Sequence, residues 1–179
     1  MNERAEFHVM GQPFDGAPLH YTMSGLDYVY LLNGFTVEND PDYGRIVTIE
    51  DERDLHRAIG LYVITRPRNL TGAEFKFLRK QMGFKQKEFA ANLGINEQTV
   101  ANYEKGKPIP TRSEFAARMD FLLWITPDDA KAGVMKRVAE RIKAYAHKSK
   151  TEAETATADA MPPADIQTAI SKIGKFRPV

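Results

Sequence analysis

Gln86, Glu97, Gln98, Thr99, Asn102 and Lys105 lie close together in the chain and share a capacity for recognition chemistry. The side-chain amides of Gln and Asn can make paired hydrogen bonds to adenine in the major groove. A Thr can reach a base or a thymine methyl, and a Lys suits phosphate or guanine. Such groups read a surface only if a rigid element holds them in a row.

The surrounding residues supply that element. Gln86 to Leu93 reads as one short helix and Glu97 to Lys105 as a second, with Gly94 between them where a tight turn needs a residue tolerant of positive φ. Ala90 is small where the helices must approach. Phe89, Leu93, Ile95 and Val100 supply a buried corner, and Asn96 can cap the second helix. Glu97, Gln98, Thr99, Ala101, Asn102 and Lys105 are left outward. This is the spacing of a helix-turn-helix over LRKQMGFKQKEFAANLGINEQTVANYEKG, Leu78 to Gly106, and it makes double-stranded DNA the first partner to consider.

From Leu70 to Leu123 the chain resembles the Xre-type, phage-repressor-like family of DNA-binding domains. The resemblance implies that Gln86 opens a helix laid across the DNA backbone, contacting phosphate and sometimes a base. It implies that Gln98, Thr99 and Asn102 occupy base-reading positions. Arg79 and Glu104 match a structural pair that bridges the first helix to the end of the recognition helix. Glu97 departs from the pattern, because an acid facing the groove repels phosphate unless it accepts from cytosine.

Charge is distributed in agreement with this reading. Residues 1–65 carry 4 Lys and Arg against 11 Asp and Glu, a net of −7, whereas residues 66–125 carry 11 against 6, a net of +5. Residues 126–150 add a net of +4 and residues 151–179 a net of −1, so the overall +1 hides a polarised molecule. The basic part coincides with the helix-turn-helix. Lys87 on the first helix, Lys105 at the end of the second, Lys107 beyond it and Arg112 are placed to meet the DNA backbone.

At 179 residues, 42% apolar and 27% charged, the composition is that of a globular protein with room for one substantial domain or two small ones and a tail. No long apolar run and no basic-then-apolar leader is present, so neither a membrane span nor a secretory signal is indicated, and a cytoplasmic location is expected. With zero Cys, disulfides, thiolate zinc sites and thiol catalysis are excluded.

Phe7 to Thr65 has a different texture. Leu19–Met23, Asp27–Leu32 and Arg45–Ile49 are short and rich in Tyr, Val, Ile and Leu, and they are separated by Ser24-Gly25, Asn33-Gly34 and Pro41 to Gly44. They predict a small antiparallel sheet. Ile49 to Ile64 predicts a helix, with Glu50, Asp51 and Glu52 at its positive end and Leu55, Ile59 and Val63 on one stripe. Arg66-Pro67-Arg68 breaks it, and Thr71 with Glu74 is a capping-box start for the next helix.

A small β module ahead of an Xre-type domain is similar in layout to certain antitoxin regulators, whose module is a zinc ribbon that binds the partner toxin. The ribbon's cysteines are absent here, so zinc is not implied. GLDYVYLLNG followed by IEDERDLHRAIG also resembles a recurring module of bacterial Xre-type regulators, serving dimerisation, ligand sensing or partner binding. His8, His20 and His56, with Asp15, Asp27 and Asp54, raise a metal or catalytic reading, but their spacing fixes no coordination shell. Tyr21, Tyr28, Tyr30 and Phe35 read as sheet packing before a binding face.

Lys105-Gly106-Lys107-Pro108-Ile109-Pro110 ends the recognition helix. Thr111 to Glu114 has the spacing of a second capping box, followed by an apolar stripe of Phe115, Met119, Leu122 and Leu123. Phe115 and Met119 read as domain core, and Leu123, Trp124 and Ile125 as candidates to cross a dimer interface. Thr126-Pro127-Asp128-Asp129 starts a basic amphipathic helix carrying Ala130, Val134, Val138, Ile142 and Ala146, which packs on a symmetry mate or on its own domain. TEAETATADAMPPAD reads as a flexible linker and Ile166 to Phe176 as a short docking helix.

The expected architecture is α+β, with an antiparallel β module and helix over 1–66, an all-α DNA-binding domain over 67–126, the basic helix over 127–150 and a flexible tail over 151–179. The expected function is a sequence-specific DNA-binding regulator, not an enzyme. It is expected to act as a homodimeric repressor on an inverted repeat, with no cofactor, no metal and no membrane. Two alternatives stay open. One is an antitoxin whose amino-terminal module holds a protein partner such as a toxin, and the other is a metal-dependent sensor or enzyme built on that module.

Overall fold

The computed structural model describes residues 4–14, 16–136 and 174–179. The chain divides into two compact units, residues 1–59 with 173–179 and residues 60–172. The fold is α+β, strand-rich first and helical afterwards.

In the first unit the alternating burial of Ala5–Val9 (β1) turns Ala5, Phe7 and Val9 inward. Leu19–His20 (β2), Val29–Leu31 (β3), β1 and Phe176–Pro178 (β6) form a sheet in the order β2-β3-β1-β6, while Phe35–Asp40 (β4) and Gly44–Ile49 (β5) form a separate hairpin. Three of the pairings are antiparallel, but β1 and β3 run parallel, Ala5 opposite Val29 and Phe7 opposite Leu31. The expected strands at Leu19–Met23 and Asp27–Leu32 are shorter than their composition suggests. The reason is a turn at residues 23–25, where the Ser24 hydroxyl takes the Leu26 N–H (3.2 Å).

Asn33 fastens this sheet. Its Oδ1 accepts the Val9 N–H (2.6 Å), and its amide donates to the carbonyls of Val9, Gln12 and Pro13 (3.1–3.2 Å). Gly34 follows at φ +74, and a Cβ there would stand 2.6 Å from Val9 Cγ2. The Asn33-Gly34 dipeptide is therefore a packing joint as well as a turn. The helix Glu52–Thr65 (α1) buries Leu55, Ile59 and Val63, the expected stripe.

Residues 174–179 correct one expectation. The sequence puts them in a flexible tail, with Ile166 to Phe176 as a helix, yet Phe176–Pro178 is a strand paired with β1 and Phe176 is buried. The expected helix before Phe176, the linker and the basic helix beyond residue 136 lie outside the described residues, as does Asp15; residues 128–136 are helical.

The second unit is built on Gly72–Gln81 (α2), Gln86–Leu93 (α3), Glu97–Glu104 (α4) and Thr111–Ile125 (α5), around Phe75, Leu78, Phe89, Val100, Phe121 and Leu122. The α2 capping box forms: Thr71 Oγ1 accepts from Glu74 N (3.2 Å), and Glu74 Oε2 accepts from Thr71 N (2.8 Å). The expected box at Thr111 does not. Pro110 is the residue ahead of α5, and Glu114 turns to Arg118, accepting from its Nη2 at 2.7 Å. Arg118 also donates to the carbonyls of Ile64 (2.7 Å), Val63 (3.1 Å) and Arg68 (2.6 Å), so a buried guanidinium caps the end of α1.

Pairing with Arg118 rotates α5 away from the expected stripe. The buried face is Ala117, Phe121, Leu122 and Ile125 with Glu114 and Arg118, whereas Phe115, Met119 and Leu123 are half-buried. Ile125, read as a dimer candidate, is internal. Trp124 keeps 40% of its surface exposed. The division at Ile59 and Gly60 lies upstream of the Arg66-Pro67-Arg68 break, because Leu61, Val63 and Ile64 are buried in this unit.

Candidate nucleic-acid interface

Gly94 adopts φ 66 and ψ 33, the left-handed conformation that ends α3 and turns the chain into α4. Asn96 caps α4, its Oδ1 accepting from Thr99 N at 2.8 Å. Phe89 and Val100 are fully buried at the corner and Ala90 nearly so, while Leu93 and Ile95 are half-buried.

Three side chains lock the two helices to α2. Arg79 grips the Glu104 carboxylate with Nε and with Nη2 (3.2 Å), and its Nη1 donates to the Phe84 carbonyl (2.7 Å). Gln86 adds a bond from its amide to Glu104 Oε2 (2.8 Å). Arg79 and Glu104, read as a structural pair, thus meet, and Gln86 joins them. That bond uses one of its two amide hydrogens. Close approach enforces the same position at the start of α2, where a Cβ on Gly72 would overlap the Tyr103 carbonyl and stand 3.0 Å from Glu104 O.

The face of α4 directed away from this lock carries the recognition candidates. Gln98 is exposed, and its amide nitrogen lies 3.4 Å from Asn102 Oδ1, so two amides stand one turn apart. Asn102 and Ala101 are half-buried rather than fully outward. Thr99 is half-buried too, with its hydroxyl donated to Asn96 Oδ1 at 2.8 Å. Glu97 is exposed in the first turn of α4, where the helix dipole stabilises a negative charge, and this gives it a structural reason independent of any base.

Lys87, Lys105, Lys107 and Arg112 are all exposed, and no ion pair among the described residues engages them. Lys85, just before α3, is a further exposed cation beyond those expected, and its position two residues before Lys87 is the sequence signal for it. Burial raises the Asp120 carboxyl pKa, and the bond from Asn92 (2.6 Å), which ties α3 to α5, partly offsets the rise.

The amino-terminal candidates do not converge. His20 Nε2 bonds the Asp27 carbonyl oxygen (2.8 Å), His56 Nε2 meets the Tyr21 hydroxyl (2.8 Å), His8 packs edge-on against Phe14, and Asp54 accepts backbone N–H groups. Among the described residues no group of three or more His, Asp or Glu could hold a metal ion. Burial, and then the neighbouring Glu52, push the Tyr21 phenol pKa up. No helix among the described residues is long and apolar enough to cross a membrane.

Comparison with known proteins gives one match: residues 75–117, from within α2 into α5, fit the family described as helix-turn-helix. No curated protein and no solved structure matches the chain.

Proposed function

We propose that this protein, whose residues 75–117 match a helix-turn-helix family, is a DNA-binding regulator that recognises a specific operator as a homodimer and represses the promoter that contains it. The observation that carries the reading is the pair of amides on α4, Gln98 and Asn102, held one turn apart on a helix fastened at its far end by Arg79, Glu104 and Gln86. Amides at that spacing suit the acceptor and donor edges of adenine, with Thr99 beside them for a thymine methyl. Lys85, Lys87, Lys105, Lys107 and Arg112 supply the phosphate contacts that set register without reading sequence.

Support for the dimer comes from the carboxyl end of α5, where the half-buried Leu123 precedes Trp124, which keeps 40% of its surface exposed. Two recognition helices related by a two-fold axis enter successive major grooves about 34 Å apart, so the operator is an inverted repeat. Selection of genome fragments by the purified protein at physiological salt tests this. The expected product is one inverted-repeat motif in a promoter. A single half-site or no enriched motif contradicts the dimeric reading.

A further inference from the structure

β6 reaches its sheet from the far end of the chain, and its seat is built for it. The Asp54 carboxylate accepts the N–H groups of Lys175 and Phe176, the latter at 2.7 Å. Gly174 stands at φ +118 directly against that carboxylate, where any Cβ would overlap Asp54 Oδ1. Phe176 is 1% exposed, and its Cζ lies 2.7 Å from where a Cβ on Gly34 would stand, so the absent side chain makes room for the ring. The ladder pairs Phe7 with Pro178, His8 with Arg177 and Val9 with Phe176, and Val179 N donates to Glu6 O (2.9 Å).

β6 occupies the sheet edge, so β2, β3 and β1 pair without it. Lys175 and Arg177 give it positive charge, while residues 1–65 carry a net of −7. Residues 137–173, the 37 preceding it outside the described structure, can span at most about 130 Å as a fully extended chain, well beyond the about 34 Å between the half-sites of an inverted repeat. A strand taken from a second copy makes the same contacts as one taken from its own chain, which is why exchange is a low-cost route to a dimer.

We propose that the β1 edge is a strand-docking groove whose occupant is Gly174–Val179 of a second copy, so that two protomers exchange β6. The proposal rests on the homodimer reading above but needs no DNA, so its test is independent of operator binding. The chain has no Cys, and His8 and Arg177 face each other across the ladder. Such a pair, with Cα atoms about 5.5 Å apart, falls within disulfide range.

Full-length His8→Cys and Arg177→Cys chains, differently tagged and co-expressed, are oxidised and resolved without reductant. The expected result is a covalent heterodimer at least tenfold above the dimer that either chain gives alone, and its loss when Phe176→Ala is added to the Arg177→Cys chain. A chain carrying both cysteines controls for the geometry. If that chain closes on itself while the mixture gives no heterodimer, β6 stays with its own chain and the proposal is overturned. No crosslink in either preparation overturns it equally, because β6 then does not pair with β1.

Discussion

In the helix-turn-helix unit the buried charged side chains are ion-paired: Arg79 of α2 with Glu104 of α4, Glu74 of α2 with Arg68 just ahead of that helix, and Glu114 with Arg118 within α5, whose guanidinium also collects carbonyls at the end of α1. In the amino-terminal unit the corresponding work falls to Asn33 and Asp54, each of which takes up backbone groups from loops and strands. The difference follows from architecture. Helices satisfy their own backbone except at the ends, so paired charges can fix how they cross, whereas short strands and their loops leave backbone donors and acceptors that a single amide or carboxylate must absorb. One unit thereby holds an amide pair on a helix fixed at its end, and the other seats β6 on β1 at its sheet edge.

The largest effect that sharpens this comparison is expected from Arg118→Met. It strands the buried Glu114 carboxylate and the carbonyls of Val63 and Ile64, and should lower the stability of the second unit by about 3–5 kcal/mol in denaturant unfolding. A loss below about 1 kcal/mol would mean that the ion pairs do not organise the helices. Asn33→Ala should cost the first unit about 1–3 kcal/mol, since Val9 N loses its buried acceptor. Hydrogen exchange should show the loss in β1, and an unchanged β1 would remove Asn33 from the role of fastener.

Tyr21 gives a pH test confined to the first unit. Its pKa is raised by burial and by Glu52, so the folded state holds the phenolic proton more tightly than the unfolded state. That stabilising difference is whole below the ordinary tyrosine pKa of about 10 and is lost as pH rises above it. Alkaline unfolding should therefore be shallower in Tyr21→Phe, and identical pH profiles would show that Tyr21 is not involved. The smallest effect is expected from Lys107→Ala, which should weaken all DNA sequences alike and reduce the slope of log K against log salt by about 0.9. An unchanged slope would take Lys107 out of the phosphate contacts.

The two units also differed in how far their sequences disclosed them. The helix-turn-helix was legible because its constraints are local: Gly94 must be left-handed, Asn96 must cap, and Thr71 and Glu74 close a box within one turn. The Thr111–Glu114 spacing misled because it satisfies the same pattern, while Arg118 one turn on competes for the carboxylate and wins by burial. In the first unit the decisive partners are remote. Asn33 binds Val9 from 24 residues away and Asp54 binds Lys175 from 121 away, and no short-range periodicity reports either contact or the parallel pairing of β1 with β3. On α4 the amide pair was legible from spacing, whereas the donation of the Thr99 hydroxyl to Asn96 required coordinates.

The most direct test of the base-reading claim is to measure the affinity of Gln98→Ala and of Asn102→Ala for the selected operator and for random DNA at the same salt. Base reading by the amide pair predicts a loss of about 1–3 kcal/mol for each variant on the operator, relaxed specificity, and little change on random DNA. Equal losses on both DNAs, or none on either, would contradict it.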